Sequence, residues 1–189
     1  MGRGRAVRIG PWLVGVLVLV VAGAGFGLYW FQPWKLWQDE TVREALPGTA
    51  ASSTAPAGTP PDASSAPSPA APETVATGEL ISHEHATSGT VKLVRLADGS
   101  HVVRLEGLDT SNGPDLRVWL TDAPVEEGRA GWHVFDDGEY TSLGRLKGNK
   151  GSQNYTVPDD VDVTRYSSVS IWCDRFDVSF GAAKLTARA

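Results

Sequence analysis

The chain has one cysteine, Cys173, in 189 residues. No internal disulfide can therefore form, and no CxxC redox pair is available. It has no glycine-rich phosphate loop, and no serine, histidine and acid stand in a nucleophile-elbow context, so nucleotide-binding and hydrolase readings lack their signatures. Positive charge is scarce. Lys and Arg number 17 against 22 Asp and Glu, a net of −5, and no basic stripe is present, which argues against a nucleic-acid partner. The acidic pieces Glu126-Glu127, Asp136-Asp137-Gly138-Glu139 and Asp159-Asp160 with Asp162 do not have the spacing of a calcium loop and read as solvated turns. Two stretches are defined by what they lack: residues 9–34 carry no charge, and residues 47–77 carry no aromatic ring.

The uncharged stretch sets the address. Trp12 to Phe31 gives 20 mostly apolar residues, about 30 Å of helix and enough to cross a bilayer core. Arg3, Arg5 and Arg8 precede it, and Tyr29, Trp30, Trp34 and Trp37 cluster at its exit around Pro33 and Lys35. Basic residues before a span and an aromatic belt after it predict a single-pass membrane protein with a cytoplasmic N-terminus and the remaining chain extracytoplasmic. Ala22-Gly23-Ala24 is the alternative, a small-residue cleavage site ending a signal peptide. A retained anchor fits better, because the apolar run continues past Ala24 into the belt.

Residues 47–77 are mostly Ala, Pro, Ser, Thr and Gly, too poor in apolar surface to fold alone, and read as a disordered linker. From Thr41 to Thr77 such a chain would span about 33 Å as a flexible coil and on the order of 100 Å if held extended by proline. The organisation expected is a cytoplasmic N-terminus over 1–9, a transmembrane anchor over 10–34, an Ala/Pro/Ser-rich linker over 35–77 and one folded domain over 78–189.

In that domain the periodicity is two, punctuated by turns. "TVKLVRL" (90–96) and "HVVRLEGL" (101–108) flank Asp98-Gly99, a strong hairpin signal. Leu116, Val118 and Leu120 alternate with Arg117, Trp119 and Thr121, and further strands are expected at 140–146, in "NYTVP", in "YSSVSIWC" and in "FDVSFGAAKL". Almost nothing of helical period lies between them. The fold class expected is all-β, an antiparallel β-sandwich or small barrel, preceded by one transmembrane helix and the linker.

Alternation places Val169, Ile171 and Cys173 on one strand face and Ser170, Trp172 and Asp174 on the other. With Asp174-Arg175 as a two-residue hairpin loop, Cys173 and Phe176 flank it on the apolar side, near the rim of the core. Trp172 then points away from the core, either covered by a neighbouring element or exposed beside the thiol. A lone cysteine is often a small buried hydrophobe; a reactive thiol needs partial exposure and a lowered pKa. Asp174 opposes its ionisation and Arg175 favours it. His83 and His85, two apart on an extended chain, are weak candidates for a metal or haem site with Cys173, and a solvated lead-in segment is the better reading of them. No cofactor is evident in the sequence.

"LGRLKGNKGSQNYTVP" followed by "YSSVSIWCDRFDVSFGAAKL" resembles the second half of the DM13 domain, an extracytoplasmic β-rich family. The matching positions are Leu146, Lys147, Gly148, Gly151, Gln153, Tyr155, Pro158, Trp172, Cys173, Phe180, Gly181 and Ala183, with "NGPDLRVWLTD" matching the family's glycine-proline-aspartate strand. The resemblance implies that Cys173 is a redox-active residue; Trp172, Asp174, Arg175 and Tyr155 are the supporting residues expected around it. It also implies electron transfer, in some members alongside haem-binding domains and b-type cytochrome modules, hence a redox partner protein. The function expected is a membrane-tethered extracytoplasmic redox module rather than a stand-alone enzyme. The alternative is a non-catalytic cell-envelope binding or adhesion module in which Cys173 is structural.

Overall fold

A computed structural model describes residues 10–49 and 71–188. Arg3, Arg5 and Arg8, and the middle of the stretch read as linker, lie outside the described residues.

Helix α1 spans Pro11–Phe31, opens on a proline whose missing N–H is not needed in a first turn, and ends at Gln32 in the left-handed region. No residue of it is buried. It is long and apolar enough to cross a membrane. A 3-10 turn, Pro33–Trp37, follows.

The strands are β1 Thr41–Arg43, β2 Glu73–Glu79, β3 Ile81–Ser82, β4 Ser88–Arg95, β5 His101–Asp109, β6 Leu116–Thr121, β7 Tyr140–Arg145, β8 Lys150–Thr156, β9 Ser168–Cys173, β10 Val178–Lys184 and β11 Thr186–Ala187. They form two sheets, ordered β1-β8-β5-β4-β2-β11 and β3-β10-β9-β6-β7. Every pairing is antiparallel except that of β1 with β8. The sheets enclose a core that includes Val91, Val103 and Leu105 from one side and Val118, Val169 and Ile171 from the other, so the all-β sandwich is the fold. Asp98-Gly99 closes the β4–β5 hairpin, with Leu96 N donating to Ser100 O at 2.8 Å.

Two strands fall inside the stretch expected as linker. Glu73–Glu79 pairs antiparallel with β4, its Thr and Val supplying the β-branched side chains that a strand favours, and Thr41–Arg43 pairs parallel with β8.

Two local expectations are corrected. The β9–β10 loop is not the two residues Asp174-Arg175, because Cys173 pairs with Val178 and leaves the four residues 174–177 as the turn. Phe176 therefore sits at an exposed tip instead of on the apolar face, and the turn is closed by Asp177 in the left-handed region at φ 50°. Trp119 and Trp172 point away from the main core, and of the two alternatives for Trp172 the covered one holds, since both indoles are buried. The excursion between β6 and β7 folds over that face and brings Ala123, Val125, Val134 and Phe135 onto the two indoles, so both faces of β9 are covered and all six of its residues are buried.

Candidate functional site around Cys173

Cys173 ends β9 between Leu116 of β6 and Val178 of β10. It is fully buried in the main core and is a free thiol. Burial pushes the thiol pKa up, and the carboxylate of Asp115 adds to the rise; the peptide N–H groups of Arg175, Phe176 and Asp115 act in the opposite direction. The resting group is thus a protonated thiol in a setting where backbone amides offer partial positive charge to the sulfur.

The charges nearby are engaged with one another. Arg117 Nε lies 2.8 Å from Asp174 Oδ2 and 3.5 Å from Asp115, and Arg145 lies 3.3 Å from Asp115. Asp174 is thus neutralised by Arg117. Arg175 turns the other way: its guanidinium donates to the carbonyls of Tyr29 and Trp30 at the end of α1 and lies 5.0 Å over the Trp30 ring. Beside it Phe176 stacks on Phe31, ring centroids 5.7 Å apart. Trp172, on the other face of β9, stacks on Trp119 at 4.8 Å and meets Phe135 edge-on.

Tyr155 shares the core with Cys173, but its hydroxyl is committed elsewhere, donating to Gln153 Oε1 at 2.7 Å and accepting from Lys147 N at 3.0 Å. Burial raises its pKa. It fixes the turn before β8.

The two histidines separate because the chain bends after β3 and breaks the alternation. His83 is buried, contrary to the solvated lead-in expected of it. Its Nδ1 is 2.8 Å from Ser179 Oγ and its Nε2 3.0 Å from Glu126 O, its ring stacks on Phe135, and Ser179 continues to Ser170 Oγ at 3.0 Å. His85 lies against Phe180 at 4.0 Å and pairs with Glu84. Among the described residues, no group of three His, Cys, Asp or Glu is arranged to hold a metal ion.

Burial also pushes the His83 pKa below its ordinary value. Below about pH 6.5 the unfolded chain therefore binds more protons at this residue than the folded one. Its contribution is intact above that pH and is lost as pH falls toward the lowered folded value. The melting temperature is expected to drop between about pH 7.5 and 5.5 more steeply in wild type than in His83→Gln. Parallel curves would mean that His83 titrates as an ordinary histidine.

The family model described as "Electron transfer DM13" matches residues 79–185, more than half of the chain. This protein belongs to the DM13 family. No curated protein and no solved structure matches the chain. The match begins at the last residue of β2 and ends just past β10, so α1 and β1 lie outside the DM13 domain.

Two cavities open on the DM13 domain. One, about 270 Å³, adjoins the 174–177 loop and is lined by Phe176, Phe180, His85 and Asn112 together with Phe31 and Lys35 from the end of the helix. The larger, about 1130 Å³, is lined by Leu93, His101, Val157, Asp162 and Tyr166. It lies beside the segment leading into β9, whereas Cys173 closes the other end of that strand. Asp115, the carboxylate that acts on the thiol, was visible in the sequence only as part of the glycine-proline-aspartate match. The His83–Ser179–Ser170 chain gave no sequence signal, because it joins residues from three separate segments.

Proposed function

We propose that this DM13 protein is a membrane-anchored, extracytoplasmic electron-transfer module whose redox group is the Cys173 thiol, acting on a separate redox partner protein. The observation that carries the reading is the placement of the only cysteine of a DM13 domain directly before an exposed loop, with the amides of Arg175, Phe176 and Asp115 facing its sulfur. Those amides favour a sulfur anion once one forms. Burial keeps the thiol protonated until the loop lifts, which carries the Arg175 and Phe176 amides away and leaves that of Asp115 beside the sulfur; Phe176 at the tip, 38% exposed, belongs to the least enclosed part of the hairpin.

The thiolate then attacks a disulfide of the partner. A bond forms between Cys173 Sγ and the nearer partner sulfur, the farther sulfur leaves as a thiolate, and a second thiol later displaces Cys173 from the mixed disulfide. With no other cysteine in the chain, the oxidised form is a disulfide shared with another molecule or, where a peroxide is the oxidant and leaves as water or an alcohol, a sulfenic acid. Helix α1 anchors the module, Arg3, Arg5 and Arg8 hold residues 1–9 in the cytoplasm, and the short segment after α1 connects the span to the working domain.

A second reading is favoured by the full burial and raised pKa of Cys173. The domain is then a non-catalytic envelope binding or adhesion module, with the cavity lined by His101 and Tyr166 as its ligand site. Thiol labelling and Cys173→Ser separate the two. The redox module should alkylate slowly while folded, at a rate set by loop opening, and form a mixed disulfide with a small aromatic disulfide. Cys173→Ser should stay folded, lose about 1–3 kcal/mol for a buried hydroxyl and abolish electron transfer in cells. A folded wild type inert to both reagents, with a serine variant of full cellular activity, would leave the binding module.

A further inference from the structure

The segment between α1 and the linker is bonded into the domain, although it lies outside the family match. Strand β1 adds nothing to the core, since Thr41 and Arg43 are exposed and Val42 only partly covered. It is nevertheless held along its length. Lys150 N donates to Glu40 O at 3.1 Å, and Glu44 N donates to Ser152 O at 2.9 Å. At one end Asn149 accepts from Glu40 N at 2.7 Å and donates to Asp39 Oδ1 at 2.8 Å. At the other, Asn154 donates its main-chain N–H to Glu44 Oε2 and its amide to Ala45 O, both at 2.8 Å.

The edge of β8 is shaped and charged for this occupant. A Cβ at Gly148 would stand 2.4 Å from Glu40 O and 2.8 Å from Val42 Cγ2, and one at Gly151 would stand 2.1 Å from Val42 O, so both positions need a bare backbone for the segment to approach. Lys147 Nζ meets the Glu44 carboxylate at 2.8 Å, and the Arg104 guanidinium donates to Glu44 O at 3.1 Å. The carboxyl of Glu44 is held below its ordinary pKa, first by the hydrogen bond from Lys147. Main-chain pairing supplies affinity in such an arrangement, and the flanking side chains supply selectivity.

We propose that the outer edge of β8 is a receptor groove for an extended acidic peptide, which this chain fills with its own residues Asp39–Ala45, and that the seated peptide holds the sandwich against the end of α1. The link from helix to sandwich is then only Gln32–Gln38, and the chain from β1 to β2 leaves and rejoins the same body. The long reach expected of residues 41–77 is not inserted between span and domain. The seat also places Arg175 over the last carbonyls of the helix, where a cation is favourable.

The test uses the full chain in detergent, with an affinity tag at the N-terminus and a protease site placed between residues 50 and 70. After a single cut, the C-terminal fragment should stay with the tagged fragment through washing, and a free peptide of residues 39–45 should displace it. Gly148→Ala, whose new methyl meets Glu40 and Val42, should retain about tenfold less fragment, the equivalent of about one or two hydrogen bonds. Its near-ultraviolet circular dichroism should match wild type. Glu44→Lys should behave alike and be rescued by Lys147→Glu. Release of the wild-type fragment on cutting would overturn the proposal, and so would equal retention by Gly148→Ala, which would locate the hold at the contact of Phe176 with Phe31 alone.

Discussion

Trp172→Ala is expected to cost about 3–5 kcal/mol, the range for removing a fully buried large aromatic side chain. The indole is 1% exposed, stacked on Trp119 and edge-on to Phe135, in the smaller of the two buried clusters. Deleting it leaves a cavity between β9 and the 122–139 excursion, whose Phe135 then keeps only Trp119, Ala182 and the His83 ring among its aromatic and apolar neighbours outside the excursion. Ile171→Ala, on the opposite face of the same strand, should cost about 2–4 kcal/mol, so the two losses come close together, whereas strand alternation alone would make the tryptophan cheap to remove. Urea denaturation followed by far-ultraviolet circular dichroism measures both. A Trp172→Ala loss under about 1 kcal/mol would mean that the excursion does not cover the sheet in solution.

Gln153→Leu should be comparably damaging, though it changes volume little. Gln153 is fully buried, and its one amide ties down the turn before β8. Oε1 accepts from Tyr155 Oη at 2.7 Å, from Lys147 N at 3.1 Å and from Gly148 N at 3.3 Å, while Nε2 donates to Gly148 O at 2.8 Å. Leucine would strand the amide and carbonyl of Gly148 and the Tyr155 hydroxyl proton, each costing about 1–3 kcal/mol when left unpaired. Lys147 N keeps its bond to the tyrosine oxygen, so the three stranded groups together are expected to cost at least about 3 kcal/mol. Tyr155→Phe removes one partner only and should cost about 1–2 kcal/mol. If Gln153→Leu unfolds at the wild-type urea concentration, the turn finds other partners. Because Lys147 and Gly148 also border the β1 seat, hydrogen exchange at Glu44 should rise in Gln153→Leu before the sandwich itself opens.

The elements that were legible were those whose signal is local. The apolar run of α1, the Asp98-Gly99 hairpin and the alternation through β4, β5, β6 and β9 each depend on neighbours a few residues apart, and each falls where expected. Leu146, Lys147, Gly148, Gln153 and Tyr155 were legible as positions of the family resemblance, but the reason for the glutamine appeared only with its four hydrogen bonds. The site was legible as a position and not as an environment. Cys173 is at a strand end as expected, yet Asp174 is taken by Arg117, Arg175 by the helix end, and Asp115 is the carboxylate that bears on the thiol.

By itself the sequence determined that this protein is a β-sandwich with an apolar N-terminal helix and one thiol, because residue propensity and a period of two specify strands and one buried face. Only the tertiary structure decided whether the other face was covered and what the free sheet edge would accept. Alternation says which side of β9 Trp172 occupies, but the cover comes from residues 122–139, which carry no periodic signal. The partner of β8 is Thr41–Arg43, more than a hundred residues away and joined mainly through backbone groups that every residue possesses.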